Sequence, residues 1–200
     1  MSEQRAVFTI GHSNYSIEKL LGLLQEQRIE AVADIRSHPY SRYAPRFGRV
    51  ALERSLTAAG IDYRFLGREL GGRPLGDEFH DADGRVDYAV VAASAPFVRG
   101  IACLMEWGAP RRGALLCSEE DPRACHRRLL VGRVLAERGW AVEHIRGDGS
   151  VEREAELVAR ETAESRNNGQ LSIFDALGER TWKSARSVSR KGRRPTSSAR

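Results

Sequence analysis

Apolar and polar positions along this chain fall into two alternating patterns, short apolar runs and helical spacings, and their order predicts strands separated by helices. Val7 to Ile10 is a short apolar run that ends in Gly11-His12-Ser13-Asn14. Ile17, Leu20, Leu21 and Leu24 then share one helical face; Ser16 can cap that helix and Glu18 suits its first turn. A second run, Ala31 to Ile35, carries Asp34 near its end and leads into Arg36-Ser37-His38-Pro39. Strand, helix, strand implies a parallel pair with a right-handed crossover. Tyr40 to Arg49 reads as a loop, Val50 to Ala59 as a helix stopped by Gly60, and Ile61 to Leu66 as a strand. Gly67 to Arg85 reads as one long loop, Asp87 to Trp107 as a helix split by Pro96. Ala141 to Ile145 is a strand, Val151 to Ser165 a polar helix, and Asn167-Asn168-Gly169 ends the globular part.

The pattern is organised around Gly113 to Trp140. The apolar run Ala114-Leu115-Leu116-Cys117 breaks into the acidic loop Ser118 to Pro122. It restarts at Cys125-His126-Arg127-Arg128 as a helix with Leu129, Leu130, Val131, Val134 and Leu135 at helical spacing. In an open α/β sheet, ligands bind beyond the carboxyl ends of the strands. Five strands with helices between them predict an α/β fold: a mostly parallel sheet with helices on both faces. The expected division is one domain over 1–166, a linker over 167–175, and a disordered basic tail over 176–200.

Composition changes this picture in one place. The net charge of +5 is unevenly spread. Residues 176–200 hold eight basic side chains against the single acid Glu179, a net +7, which leaves −2 on residues 1–175. Such a tail suits a polyanion such as DNA, or serves solubility alone. No apolar run is long enough for a membrane span, no secretory signal is expected, and three cysteines fit a reducing compartment, so a cytoplasmic protein with no membrane partner is expected.

Four polar clusters follow strands: His12-Ser13-Asn14, Asp34-Arg36-His38, Gly67-Arg68-Glu69, and Cys117 with Glu119, Glu120, Cys125, His126 and Arg127. A parallel sheet would set all four along one edge. Arg36 and Arg127 could clamp a phosphate or carboxylate, with Ser13 and Asn14 beside them, or else form ion pairs with Asp34 and Glu119. Asp34 or Glu119 could activate water or orient His12, and His12 or His126 could move a proton. Cys125 is either a nucleophile, activated by a helix N-terminus and Arg127, or a small packing residue. Cys117 and Cys103 read as buried packing residues. A zinc site from Cys117, Cys125, His126 and His12 is set aside, because the Cys117–Cys125 spacing is not the tight pair of a structural site. No metal ligands are therefore assigned, and the sequence leaves the cofactor and any metal requirement open. His38, His80 and His144 read as ordinary polar residues.

The segments Thr9-Ile-Gly-His-Ser-Asn14, Asp34-Ile-Arg36 with Pro39, Phe65-Leu-Gly-Arg-Glu-Leu-Gly-Gly72, and Leu116-Cys-Ser-Glu119 leading to Cys125-His-Arg127 resemble the bacterial domain-of-unknown-function family 488. The resemblance covers about residues 7–146. It implies an α/β domain with these motifs around one cleft, and it supplies no reaction. Gln170-Leu171-Ser172-Ile173-Phe174 is similar to the peptides that dock on the bacterial β sliding clamp, with a Gln to hydrogen-bond and Leu171, Ile173 and Phe174 as apolar anchors. A segment packed back on the domain is the other reading. Three functions follow: a DNA-maintenance hydrolase acting on a nucleotide or modified DNA; a non-catalytic adaptor for the clamp; and a small-molecule hydrolase unrelated to DNA.

Overall fold

Five of the six strands are parallel and lie where the apolar runs predict them. In the computed structural model, which describes residues 5–40, 44–108, 110–167 and 182–185, they are β1 (Ala6–Gly11), β2 (Ala31–Asp34), β3 (Asp62–Phe65), β4 (Gly113–Cys117) and β5 (Ala141–Ile145). The sheet order is β3-β2-β4-β1-β5-β6, where β6 (Val151–Arg153) is antiparallel to β5. β4 is inserted between β1 and β2, so its neighbours are the strands carrying the His12 and Arg36 clusters.

The strand side chains alternate between two cores, as a sheet covered on both faces requires. Phe8, Ile10, Val32 and Leu116 face α1 (Ile17–Glu26) and α2 (Arg49–Ala58) through Leu20, Leu24, Leu52 and Leu56. Val7, Ala33, Leu115 and Val142 face the other side, where Phe97, Ile101, Leu130 and Leu135 cover them. The chain moves one way across the sheet from β1 to β3 and then turns back to β4 and β5. Right-handed crossovers therefore place the later helices on the opposite face. The loops leaving β2 and β4 diverge, and a crevice opens between their carboxyl ends.

Side-chain caps open two of the helices. The Ser16 hydroxyl accepts from Lys19 N, and the Asp87 carboxylate accepts from Ala89 N and Val90 N. The split helix breaks at Ser94, between α4 (Tyr88–Ala93) and α5 (Ala95–Gly108). Pro96 sits in the first turn of α5, where a missing N–H costs nothing. The helix after β4 opens with the Cys125 carbonyl accepting from Arg128 N and Leu129 N. It runs as a π-helical stretch over Arg127–Gly132 and continues as α6 (Arg133–Glu137).

Three expectations need correction. The segment from Val151 begins as a strand, because a tight turn closed by Arg146 N to Ser150 O, with Gly149 at φ +91°, returns the chain along β5. The helix α7 (Glu154–Asn167) starts after it. The long loop after β3 contains the short helix α3 (Gly67–Leu70), where a side chain on Gly67 would meet the Arg36 carbonyl at 2.0 Å. Within the basic segment, Trp182 to Ala185 lie on the domain. The Trp182 carbonyl accepts from Tyr88 N, Ser184 N donates to Val86 O, and Lys183 pairs with Asp81 at 3.0 Å. Charge composition hides this because the anchor is a single tryptophan. The clamp-like peptide Gln170–Phe174 lies outside the described residues, as does most of the basic segment. Among the described residues no helix is long and apolar enough to cross a membrane.

Candidate functional site

The crevice between β2 and β4 holds a cavity of about 410 Å3. Arg36 and His38 enter from the end of β2, Cys117 and Glu119 from β4, Cys125 and His126 from the following helix start, and Tyr88 from α4. The Gly72-Arg73 loop and Ser184-Ala185 complete the wall.

The inner end of this cavity is sulfur and imidazole. The His126 Nδ1 lies 3.7 Å from Cys117 Sγ and 3.9 Å from Cys125 Sγ. Its Nε2 donates to the Ile35 carbonyl at 3.0 Å, which fixes the ring with Nδ1 toward the sulfurs. Gly72 leaves room for that ring; a Cβ there would stand 2.6 Å from its Cγ. Both cysteines are buried, and all three in the chain are free. The acidities differ from expectation. A hydrogen bond from the Cys125 thiol lowers Cys117 well below the usual thiol range, burial opposes it, and the charge of His126 adds to it. Cys125 is pushed up by that same bond, by burial and by the Cys117 charge. Burial would lower His126, but the Cys117 sulfur and the Ile35 carbonyl outweigh it and leave the imidazole raised. Arg127 does lower Cys125, but by less than these effects raise it. Cys117, read from sequence as a packing residue, is thus the more acidic thiol, and its place as the last residue of a buried parallel strand was the signal for it.

Asp34 is fully buried and bound to Arg36 through both oxygens, Nε–Oδ1 at 2.8 Å and Nη2–Oδ2 at 2.6 Å. The Tyr63 hydroxyl donates to Oδ2 at 2.8 Å. Asp34 therefore has no lone pair facing the cavity and does not activate water; it holds Arg36. Arg36 Nη1 donates to the Phe47 carbonyl at 2.9 Å and to His12 Nε2 at 3.1 Å. Its second Nη2 hydrogen has no partner among the described residues, and the side chain lines the cavity. His12 Nδ1 donates to the Ser13 carbonyl at 2.8 Å, and the ring stacks on Phe47 at 4.2 Å. Burial lowers its pKa to about 4, so the ring is neutral and accepts from Arg36. It is not among the cavity residues.

Arg127 is the clearest departure from the sequence reading. It is fully buried and outside the cavity, and its guanidinium is spent on the protein itself. Nε donates to Thr9 Oγ1 at 3.2 Å, Nη1 to the Glu119 carbonyl and Nη2 to the Glu120 carbonyl. It ties the loop after β4 to β1 and does not clamp a substrate. Ser13 and Asn14 are also used locally. Ser13 N donates to Ser118 O, and the Asn14 carbonyl accepts from Arg46. Neither lines the cavity. Of the residues proposed from sequence, the structure brings Arg36, Glu119, Cys125 and His126 to one cavity, buries His12, Asp34 and Arg127 outside it, and leaves Ser13 and Asn14 away from it.

Behind Arg127 runs a polar chain that sequence reading missed. The Thr9 hydroxyl bonds His144 Nδ1 at 2.8 Å, and His144 Nε2 bonds Glu154 at 2.8 Å. Glu154 and Glu161 both pair with the buried Arg128. His144 is therefore an interior connector, not an ordinary surface histidine. Helical periodicity hid Arg128, since a buried arginine looks like a solvated one in a pattern.

A doubly wound α/β domain with a polar, thiol-bearing cavity at the divergence of two parallel strands is the class that this fold and site define. The model of the family described as "Domain of unknown function DUF488" matches residues 16–134. The chain belongs to that family. The match starts after β1 and ends within α6, so it includes Asp34, Arg36, Cys117, Cys125 and His126 and leaves out His12. No curated protein and no solved structure matches the chain.

Proposed function

We propose that this protein is a hydrolase that cleaves a phosphate or glycosidic bond in a nucleotide-sized anionic substrate, free or as part of a modified nucleic acid. The observation that carries this reading is the convergence of Arg36, Glu119, Tyr88 and the Cys117–Cys125–His126 corner on one 410 Å3 cavity. That volume suits a small ligand. Arg36 and Arg73 supply guanidinium donors among the residues lining it, the charge of Arg36 being shared with Asp34, and such donors recognise an anion. The anionic end would lie on the Arg36 N–H that has no partner among the described residues, with Arg73 at the mouth, and the scissile bond would face the sulfur–imidazole corner. Glu119 stands exposed at the cavity, where it can take or return a proton.

Turnover on a panel of nucleotides and modified oligonucleotides tests this, using wild type, Arg73→Ala, Glu119→Gln and Cys117→Ser. Arg73→Ala should raise KM, while the other two should lower kcat by at least about 100-fold, the scale of a lost acid–base group. Turnover equal in all four forms would remove the reading.

The sequence similarity of Gln170–Phe174 to clamp-docking peptides supports placing this enzyme at replicating or repaired DNA, with the basic segment adding salt-sensitive phosphate contacts. Retention on immobilised β clamp by wild type but not by Gln170→Ala/Phe174→Ala is the expected result. Equal retention, or none by either form, would favour a hydrolase unrelated to DNA.

A further inference from the structure

We propose that Cys117, Cys125 and His126 bind one thiophilic divalent cation, zinc being the natural probe, with the fourth coordination position open to the 410 Å3 cavity. The three ligand atoms lie within 4.8 Å of one another. Tetrahedral zinc with bonds of about 2.3 Å to sulfur and 2.0–2.1 Å to nitrogen sets sulfur and nitrogen about 3.6 Å apart. The distances here are 3.7 and 3.9 Å, so the site is nearly formed without adjustment. Two thiolates and an imidazole select such an ion over a hard cation.

The surroundings are those of a ligand set and not of a chance cluster. The spare nitrogen of His126 donates to the Ile35 carbonyl, which leaves the Nδ1 lone pair for the metal. Arg127 fastens the intervening loop by two of its carbonyls, which holds the cysteines at their spacing. His12, the obvious fourth ligand, is committed to Arg36. No fourth His, Cys, Asp or Glu joins the cluster among the described residues. Three protein ligands with a cavity at the fourth position is the arrangement of catalytic sites, where structural sites are closed. When bound, such an ion makes a water acidic near neutral pH and polarises a substrate oxygen. Tyr88 lines the same cavity, and its hydroxyl can donate to whatever occupies the open position.

The test uses the full chain without substrate, so its outcome is independent of the reaction proposed above. Protein stripped with chelator under reducing conditions is titrated with Co2+. One ion per chain, a thiolate-to-cobalt charge-transfer band and the visible bands of tetrahedral cobalt are expected. Zinc should displace the cobalt and protect two of the three thiols from a disulfide reagent, leaving Cys103 reactive. Cys103→Ser should bind as wild type does, while Cys117→Ser and Cys125→Ser should each weaken binding on the order of 100-fold or more, beyond what loss of an outer-shell partner costs. Inorganic phosphate or azide should shift the visible cobalt bands through the open position. Affinity weaker than micromolar, no thiol protection in wild type, or unchanged binding by Cys125→Ser would overturn the site. Visible bands indifferent to every added anion would overturn the open position. Protection needs no variant, so it decides the matter even if Cys117→Ser fails to fold; oxidation of the pair to a disulfide in place of metal uptake would also count against it.

Discussion

Replacing Arg127 by methionine separates the role the structure assigns to this residue from the one its sequence position suggests. The side chain is fully buried and makes hydrogen bonds to Thr9 Oγ1 and to the Glu119 and Glu120 carbonyls. A charge-assisted bond contributes about 1.5–3 kcal/mol, so the two carbonyl bonds together contribute about 3–6 kcal/mol. Methionine keeps the aliphatic stem and leaves little cavity. It also removes a buried charge whose desolvation costs several kcal/mol, which offsets part of the loss. The expected net destabilisation is about 2–4 kcal/mol, a large share of a domain's 5–15 kcal/mol. Urea unfolding followed by tryptophan fluorescence measures it, with an unchanged m value showing that the same surface is exposed. If Arg127 served only to clamp an anion, its removal would weaken ligand binding and leave stability unchanged or higher. A loss below about 0.5 kcal/mol at constant m would refute the loop-fastening role.

Asp34→Asn should cost about 3–5 kcal/mol, because it strands the buried Arg36 guanidinium, while Tyr63→Phe removes one hydrogen bond and should cost about 1 kcal/mol; the reverse order in thermal unfolding would contradict the network. His12 has a pKa of about 4 in the folded state against 6.5 when free, so between those values the unfolded chain takes up a proton that the folded chain refuses. Its contribution is full above pH 6.5 and falls as pH falls, by up to about 3 kcal/mol at pH 4; His12→Asn should flatten that part of the stability–pH curve, and parallel curves would count against it. Trp182→Ala loses the Nε1 bond to the Leu129 carbonyl at 2.5 Å and the Arg133 guanidinium 4.3 Å from the ring centroid. Trypsin should then cut at Lys183 several-fold faster than in wild type, and equal cleavage rates would show that the segment is not held by this residue.

β1, β2 and β4 were legible because each is a short apolar run bounded by turns and buried on both faces, whereas the edge strand β3 was legible by its alternation. Their carboxyl ends were legible as a class, which is why Arg36, Glu119, Cys125 and His126 were placed together without coordinates. The strand order was not, and it decides what the residues do. Inserting β4 between β1 and β2 sets Leu116 beside Asp34 and brings Cys117, one residue on, within reach of His126, so two cysteines eight positions apart meet at one imidazole. Spacing along the chain argues against a metal there, because it counts residues and not the loop that folds back. The role of Arg127 was illegible for a related reason: its acceptors are backbone carbonyls, and no sequence pattern marks which carbonyls a loop turns inward. The same holds for β6, whose three residues are too few to show a period.

Arg36, just beyond β2, and Arg127, on the helix after β4, act as a matched pair of fasteners on the two sides of the crevice, and this explains the geometry of the sulfur–imidazole corner. Arg36 ties the end of β2 to the Phe47 carbonyl and His12; Arg127 ties the loop after β4 to Thr9 on β1. Each charge is buried, and each is satisfied by groups fixed in the sheet or its first turns. Loops held this way cannot relax around a missing ligand, so the positions of Cys117, Cys125 and His126 are set by folding and not by what binds. The entropy of ordering the site has then already been met when a ligand arrives, which favours tight binding of a small ion or anion over a loose induced fit. The same rigidity makes the fasteners costly to mutate without their touching any ligand. Loss of function at Arg36 or Arg127 should therefore track loss of stability, whereas loss at Glu119 or Arg73, both exposed at the cavity, should not.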